Sequence, residues 1–375
     1  MPRPLTASAP GKLILAGEHA VVYGRPALVA SVDLRLSATL RERPERRPRS
    51  VRIAIPQLAV AEEVAWTRLH AYTRTARDRW QAWACGEGGG SFAAVQGGDA
   101  CHVVKVALGE AAAFLDDRSP PALDLVIHSE LPLGSGFGSS AAAAVAVVAV
   151  FLEQRGASVS ADQLEGIVRE VERRQHGLPS GVDAATVLHG GVLWAERRPD
   201  GSLAVEPFAG RSPLLADLAV FDTGTPAEGT GTVVAAVRDR SAAAGDRFEA
   251  VWSSIEAATR ELRALLEETA AGDAAPQASR GRLGALLRTC QAGLETLGVV
   301  PKPVQELVRR VEAEGGAAKV SGAGALSGQG AGSLIVTHPE PGLVAEWSFL
   351  SHLRRYPVAL GGPGLVVGPS EPPTG

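Results

Sequence analysis

Residues 131–142 read Leu-Pro-Leu-Gly-Ser-Gly-Phe-Gly-Ser-Ser-Ala-Ala and run straight into an alanine- and valine-rich stretch. Glycines at 134, 136 and 138 let the backbone turn sharply and come close to a ligand. A glycine-rich turn that opens a helix aims unpaired N–H groups and the positive end of the helix dipole at one point, which suits a phosphate. The hydroxyl of Ser139 or Ser140 can also reach a phosphate-bound Mg²⁺. An ordinary turn with a serine N-cap has the same composition, so the loop alone leaves both readings open. The stretch is not a Walker A loop, which needs Gly-Lys-Ser/Thr, and it lacks the dinucleotide spacing.

Two further stretches carry groups that can do chemistry. Residues 9–24 read Ala-Pro-Gly-Lys-Leu-Ile-Leu-Ala-Gly-Glu-His-Ala-Val-Val-Tyr-Gly. Lys12 precedes a short apolar strand, and Glu18 and His19 sit in a turn after Gly17. Taken singly, Lys12 fits a solvated strand end and His19 a structural histidine. Residues 176–183 read His-Gly-Leu-Pro-Ser-Gly-Val-Asp, followed by apolar residues. An acid such as Asp183 entering an apolar segment needs a partner, because burying an unpaired charge is costly. Lys12 would supply one, and a helix-capping role is the alternative.

Positioning these groups requires regular elements. Residues 5–40 alternate turn signals with apolar runs and predict short strands. A helix is expected over about 98–115, a strand over 123–128, and a buried helix after the glycine loop. Leu131 to Leu152 is uncharged and long enough for a membrane span, but its glycine, serine and alanine content favours a buried helix. Ser160 and Gln163 form a capping box. Leu164, Ile167, Val168 and Val171 then make the apolar stripe of a helix. Glu172 lies about 80° from Leu164 on that helix, at the stripe's edge, where a carboxylate can reach inward. A strand over 214–221, helices over 242–271 and 280–297, a helix from near Pro303 and a strand over 333–336 follow. Residues 86–98 read as a mobile glycine-rich loop. The polar stretch 196–212 is where a domain boundary is expected, dividing the chain into 1–205 and 206–360. Residues 361–375 read as a disordered tail.

Composition narrows the function classes. The chain has 375 residues, enough for two domains, and a net charge of −4, which gives no global basic field for nucleic acid. Residues 41–52 hold six arginines, two glutamates and two prolines without an interleaved aromatic. That reads as a solvated hairpin tip. Three cysteines without CxxC spacing give no metal framework and fit a reducing cytosol. Met1-Pro-Arg-Pro-Leu lacks an apolar signal region, so a cytoplasmic protein without a membrane partner is expected.

Together the three stretches resemble the GHMP kinases, the superfamily that includes galactokinase, homoserine kinase and mevalonate kinase. The motifs occur in the superfamily's order, and the resemblance spans about residues 6–340. Gly17-Glu18-His19-Ala-Val-Val-Tyr23-Gly24 and the 176–183 run look most like the mevalonate kinase branch. The resemblance implies an α+β, two-domain fold. Its N-terminal mixed α/β domain carries the phosphate loop in a left-handed βαβ-type unit, and its C-terminal domain is ferredoxin-like. It implies ATP as co-substrate, Mg²⁺ as cofactor and mevalonate as acceptor, with phosphomevalonate or a sugar as the alternative acceptor and a diphosphomevalonate decarboxylase or a non-catalytic paralogue as further alternatives, and it leaves a homodimer open. Residue by residue, Asp183 matches the acid that receives or orients the acceptor's proton, and Lys12 the lysine beside it. Gly134, Ser135, Gly136, Phe137, Gly138, Ser139 and Ser140 match the phosphate loop. Ser140 and Glu172 match the Mg²⁺ ligands. Glu18, His19, Thr230, Gly322, Ala323 and Gly324 match the substrate side. The chain departs from the pattern in two places. Ala143 stands where a tyrosine is common. The third glycine motif, beginning Gly322-Ala-Gly324, is extended to a second Gly-Ala-Gly at 330–332, and the extension is expected to be mobile without ligand.

Overall fold

A computed structural model describes residues 3–44, 49–86, 92, 98–132, 134–198 and 200–370. The chain builds two sheets. The first has strands β1 (Leu5–Ala16), β2 (Ala27–Glu42), β3 (Ser50–Ile55), β4 (Val60–Ala65), β5 (Leu123–Ser129), β6 (Val192–Arg197), β7 (Leu203–Pro207) and β12 (Val366–Pro369). Its order is β12-β1-β2-β5-β3-β4, with β6 joining β2 and β7 joining β6. All pairs are antiparallel except β3 with β5. The second sheet is antiparallel, ordered β11 (Arg354–Tyr356), β8 (Ala219–Asp222), β10 (Ser333–Thr337), β9 (Ala317–Ser321).

The short strands expected over 5–40 are two long ones. β2 runs 16 residues because one strand serves three neighbours: β1 along one edge, then β6 and β5 at opposite ends of the other. The helices α1 (Trp66–Ala84), α2 (His102–Phe114), α3 (Ser139–Gln154), α4 (Ala161–His176) and α5 (Val182–His189) belong to this half. Helix α3 buries almost every residue from Ala141 to Leu152, against β1, β2, α2, α4 and α5. A helix apolar all round needs such a setting. Among the described residues no helix is long and apolar enough to cross a membrane.

In the second half, α6 (Thr230–Ala244), α7 (Asp246–Ala271), α8 (Pro276–Leu297) and α9 (Lys302–Ala313) accompany the smaller sheet. A break at Gly245 (φ 52°) separates α6 from α7, so the helix expected over 242–271 is two. The strand expected over 214–221 is a 3-10 turn, Pro213–Asp217, followed by β8, since Pro213 pre-sets a turn.

Three expectations about organisation are corrected. Residues 41–52 are not a hairpin tip: β5 lies between β2 and β3, so this segment crosses over it. Arg43 there pairs with Glu63 and Asp124, and residues 45–48 lie outside the described residues. The boundary at 205/206 would cut β7, which pairs with β6, so the change of sheet comes between Pro207 and Ala219. Residues 361–370 are not a disordered tail. β12 pairs with Leu5–Ser8, and the Arg35 guanidinium donates to the carbonyls of Pro363 and Gly364. Residues 371–375 and nearly all of 86–98 lie outside the described residues.

Candidate active site

The three chemical stretches converge on one cavity of about 450 Å³ between the two sheets. Lys12 sits on β1, only 3% exposed, and its Nζ lies 3.1 Å from Asp183 Oδ1. Asp183 is in the first turn of α5, whose N-cap is Gly181 and which has no side-chain cap. The acid therefore pairs with the lysine, and the capping alternative drops out. Its side chain remains one-third exposed toward the cavity, so the pair can meet a ligand.

The glycine loop closes one side. Gly134, Gly136 and Gly138 all have φ between 71° and 78°, a region L side chains avoid. A Cβ on Gly138 would come within 2.8 Å of Lys12 Cγ, so glycine is also needed for the lysine to pass. Gly138 is the N-cap of α3 without a side-chain cap bond, and Ser139 is already helical. The serine-cap reading fails, and the first N–H groups of α3 are left for an acceptor at the cavity. Ser139 and Ser140 line that cavity. Ser135 and Phe137, expected in the phosphate loop, face away. The Ser135 hydroxyl donates to Asp222 Oδ2 at 3.0 Å, and the buried Phe137 ring packs edge-on against Tyr356. They can offer backbone only.

Glu172 points inward from α4, 3% exposed. Its Oε2 is buried with no hydrogen-bond partner. Burial, with the Asp183 charge adding to it, pushes its carboxyl up to about 8. A buried carboxylate oxygen without a partner fits a cation, and oxygen ligands suit Mg²⁺. Ser140 Oγ, the other expected ligand, lies 2.9 Å from His176 Nε2. Burial pulls His176 down to about 4, so the ring is neutral. Sequence reasoning gave this histidine no role, although it opens the 176–183 motif.

The far wall comes from both halves. His19 adopts φ 55° and ψ −44°, strained for a non-glycine residue, and its Nε2–H donates to the Ala323 carbonyl at 3.0 Å. Burial lowers its pKa, which keeps the ring neutral. Gly322, Ala323, Gly324 and Thr230, the first residue of α6, also line the cavity. Glu18 lines it too, but its carboxylate is committed to Lys319, with both side chains essentially buried. Lys319 also donates to the carbonyls of Ile14 (3.2 Å) and Val320 (2.8 Å). The expectation that Glu18 acts directly on a substrate is corrected accordingly: it holds the turn that presents His19. The hydroxyl of Ser321 both accepts from Ile14 N–H and donates to Ile14 C=O, which joins β9 to β1 beside the cavity.

The extended third motif is tied down. Leu326 N–H and the Ser327 hydroxyl donate to the two oxygens of Glu228, Ala325 N–H to Val299 C=O, and Ala331 N–H to Thr223 Oγ1. Through the bonds to Glu228 and Thr223 it leans on the 223–230 loop. Among the described residues, Glu62, Asp99 and Cys101 also lie close enough to share a metal ion. The Lys105 ammonium already occupies that cluster, 2.9 Å from Glu62 and 2.8 Å from Asp99.

A family model described as the GHMP kinases N terminal domain matches residues 102–191. The mevalonate kinase of Aeropyrum pernix is 30% identical over 86% of this chain and 87% of its own length. The mevalonate kinase of Homo sapiens is 32% identical over 90% of this chain and 87% of its own. Among solved structures, the Methanococcus jannaschii mevalonate kinase superposes with a TM-score of 0.70 at 17% identity, covering 94% of this chain and 96% of that one. An L. major mevalonate kinase solved with R-mevalonate gives 0.65 at 22% identity, covering 95% of each chain. At these identities the structural likeness speaks for the fold.

Proposed function

The chain belongs to the mevalonate kinase family of the GHMP kinases, and on that footing we propose that its cavity transfers the γ-phosphoryl group of ATP to the C5 hydroxyl of mevalonate. The observation that carries the reading is the Lys12–Asp183 pair, 3.1 Å apart, opening into the same cavity as Gly134–Ser140. A bond forms between the C5 oxygen and the γ-phosphorus while the bond to the β,γ-bridging oxygen breaks. The hydroxyl proton goes to Asp183. Charge spread over the transferred group is met by backbone N–H groups of the 134–140 loop and by the Lys12 ammonium.

Ser140 and Glu172 would hold Mg²⁺, which when bound neutralises phosphate charge. His19, Thr230 and residues 322–324 then form the acceptor side of the cavity, and the glycine loop forms the nucleotide side. The first half supplies the loop, Lys12, Glu172, Asp183 and His19, and the second closes the acceptor side with Thr230 and residues 322–324.

Purified protein with ATP, Mg²⁺ and R-mevalonate is expected to release ADP in a coupled assay. Asp183→Asn keeps the shape but removes the proton acceptor, so kcat should fall at least about 10²-fold with nucleotide binding little changed. ADP release with phosphomevalonate or galactose but not with mevalonate would overturn the substrate assignment. Near-normal turnover by the Asp183→Asn enzyme would overturn the role of the acid.

A further inference from the structure

Asp222 ends β8 and does not line the cavity, yet three donors from three segments meet on its carboxylate. Oδ2 accepts from the Ser135 hydroxyl at 3.0 Å and from the Tyr356 hydroxyl at 3.3 Å. Oδ1 accepts from Gly224 N–H at 2.8 Å. Ser135 is 3% exposed and stands between Gly134 and Gly136, the residues that bring the glycine loop to the cavity. The second sheet holds this loop in other ways as well. The Ser333 hydroxyl donates to Ser135 C=O, and Phe137 packs on Tyr356 with ring centroids 5.1 Å apart. A Cβ on Gly332 would come within 2.9 Å of the Ser135 carbonyl oxygen, so the third glycine motif also presses on the loop's outer side. In the other direction, Gly224 is the second residue of the 223–230 loop that ends at Thr230. Thr223 fastens that loop to the third motif, donating to Gly332 C=O and accepting from Ala331 N–H.

We propose that Asp222 is a positioning residue that fixes the phosphate loop and the acceptor-side loop to one another, so that a single carboxylate outside the cavity sets both substrate sites. The inference rests on the kinase reading above and adds a residue to it. All three partners of Asp222 are donors, so an ionised carboxylate is the group that satisfies them together. Asparagine offers one acceptor oxygen: with it turned to Gly224 N–H, the N–H₂ faces the two hydroxyls, which must reverse to accept, and the charge that strengthened all three bonds is gone. Ser135→Ala removes the link to the phosphate loop alone and leaves Gly224 in place.

The test is steady-state kinetics together with ADP binding measured by calorimetry. Asp222→Asn is expected to raise KM for both ATP and mevalonate about tenfold, the scale of a bond to a charged group, with kcat within a few-fold. Ser135→Ala is expected to raise KM for ATP alone and to weaken ADP binding to a similar degree. Tyr356→Phe should shift the same quantity by less. If Ser135→Ala binds ADP as the wild type does, the link to the phosphate loop is refuted. If Asp222→Asn lowers the melting temperature but leaves both KM values unchanged, Asp222 is structural only and the proposal falls. Should Asp222→Asn fail to fold, Ser135→Ala, which keeps the carboxylate, decides. ADP binding needs no acceptor: wild-type protein that binds ADP but releases none with mevalonate overturns the proposed function, while the comparison of variants still decides on Asp222.

Discussion

Glu172→Gln should make the metal-free protein more stable at alkaline pH while impairing its use of Mg²⁺. The carboxyl is buried without a partner for Oε2, and its pKa rises from 4.5 to about 8. The folded state therefore binds this proton more tightly than the unfolded state. The sign follows from that difference. Below about pH 4.5 both states are protonated and the difference in proton affinity costs nothing. As pH rises, the unfolded chain releases its proton first, and stability falls until the folded carboxyl also ionises near pH 8. At about 1.4 kcal/mol per tenfold change in proton affinity, the loss is on the order of 3 kcal/mol by pH 7 and at most about 5 kcal/mol above pH 8. Glutamine carries no charge but leaves a buried amide short of partners, at about 1–3 kcal/mol. The variant should thus be no more stable than the wild type at pH 5, and more stable by on the order of 2 kcal/mol at pH 8.5, a few degrees in melting temperature. Scanning calorimetry in EDTA at several pH values reads this directly. Adding Mg²⁺ and ADP should then stabilise the wild type more than the variant, because only the wild type offers the carboxylate. Melting curves of the two proteins that stay parallel from pH 5 to 8.5 would refute the reasoning.

Arg41→Gln and Arg52→Gln together should leave kcat/KM for mevalonate within a few-fold, because both side chains are more than half exposed at the end of β2 and the start of β3; a larger loss would mean that this end of the sheet acts on the cavity. Truncation after Leu360 should lower the melting temperature by several degrees, since it strips β12 from the edge of β1 and leaves Arg35 without the Pro363 and Gly364 carbonyls; an unchanged melt would show that edge to be dispensable. Hydrogen exchange should find the amides of Ala325, Leu326, Ala331 and Gly332 protected before any ligand is added, each having an acceptor within 3.0 Å. Rapid exchange there that slows only with ATP or mevalonate would restore the mobile-loop expectation.

Contiguity decides what could be read from the sequence. Gly134, Gly136 and Gly138 stand beside the serines that begin α3, and Asp183 stands two residues into a helix after a Ser-Gly turn, so each is a local signal that points to a site once the stretches are read together. The Lys12–Asp183 pair joins residues far apart in sequence, yet it was legible because an acid entering an apolar segment requires a cation and the glycine-lysine stretch near the N-terminus offers one. Lys319 obeys the same electrostatic rule but could not be found by it. It lies within a fully buried strand of Ala-Ala-Lys-Val-Ser, and its partner Glu18 already had an apparent role in a turn at the cavity. The same holds for Asp222: its bond to Gly224 N–H is a local Asx-type contact, but the donors from Ser135 and Tyr356 come from distant chain and share no local pattern with it.

Topology shows the same division on a larger scale. Strand β5 reads as an apolar segment, but β3 is not among the expected strands, and nothing local to residues 41–52 reports that β5, arriving some seventy residues later, takes the place beside β2 that a hairpin would have filled. Strand β12 is harder still. Its four residues include a glycine and a proline, a composition that predicts a loop, and they pair because β1 presents an unfilled edge at Leu5–Ser8. Its stability as a strand therefore resides in its partner. The acid and the glycine loop each carry a signal in their own neighbourhood, whereas the groups that hold them in register, Lys319, Asp222 and Arg35, depend chiefly on partners from distant chain. A reading by local pattern thus recovers the reacting groups of such a site before it recovers their supports, and the supports are where substitution should change substrate affinity while sparing the chemistry.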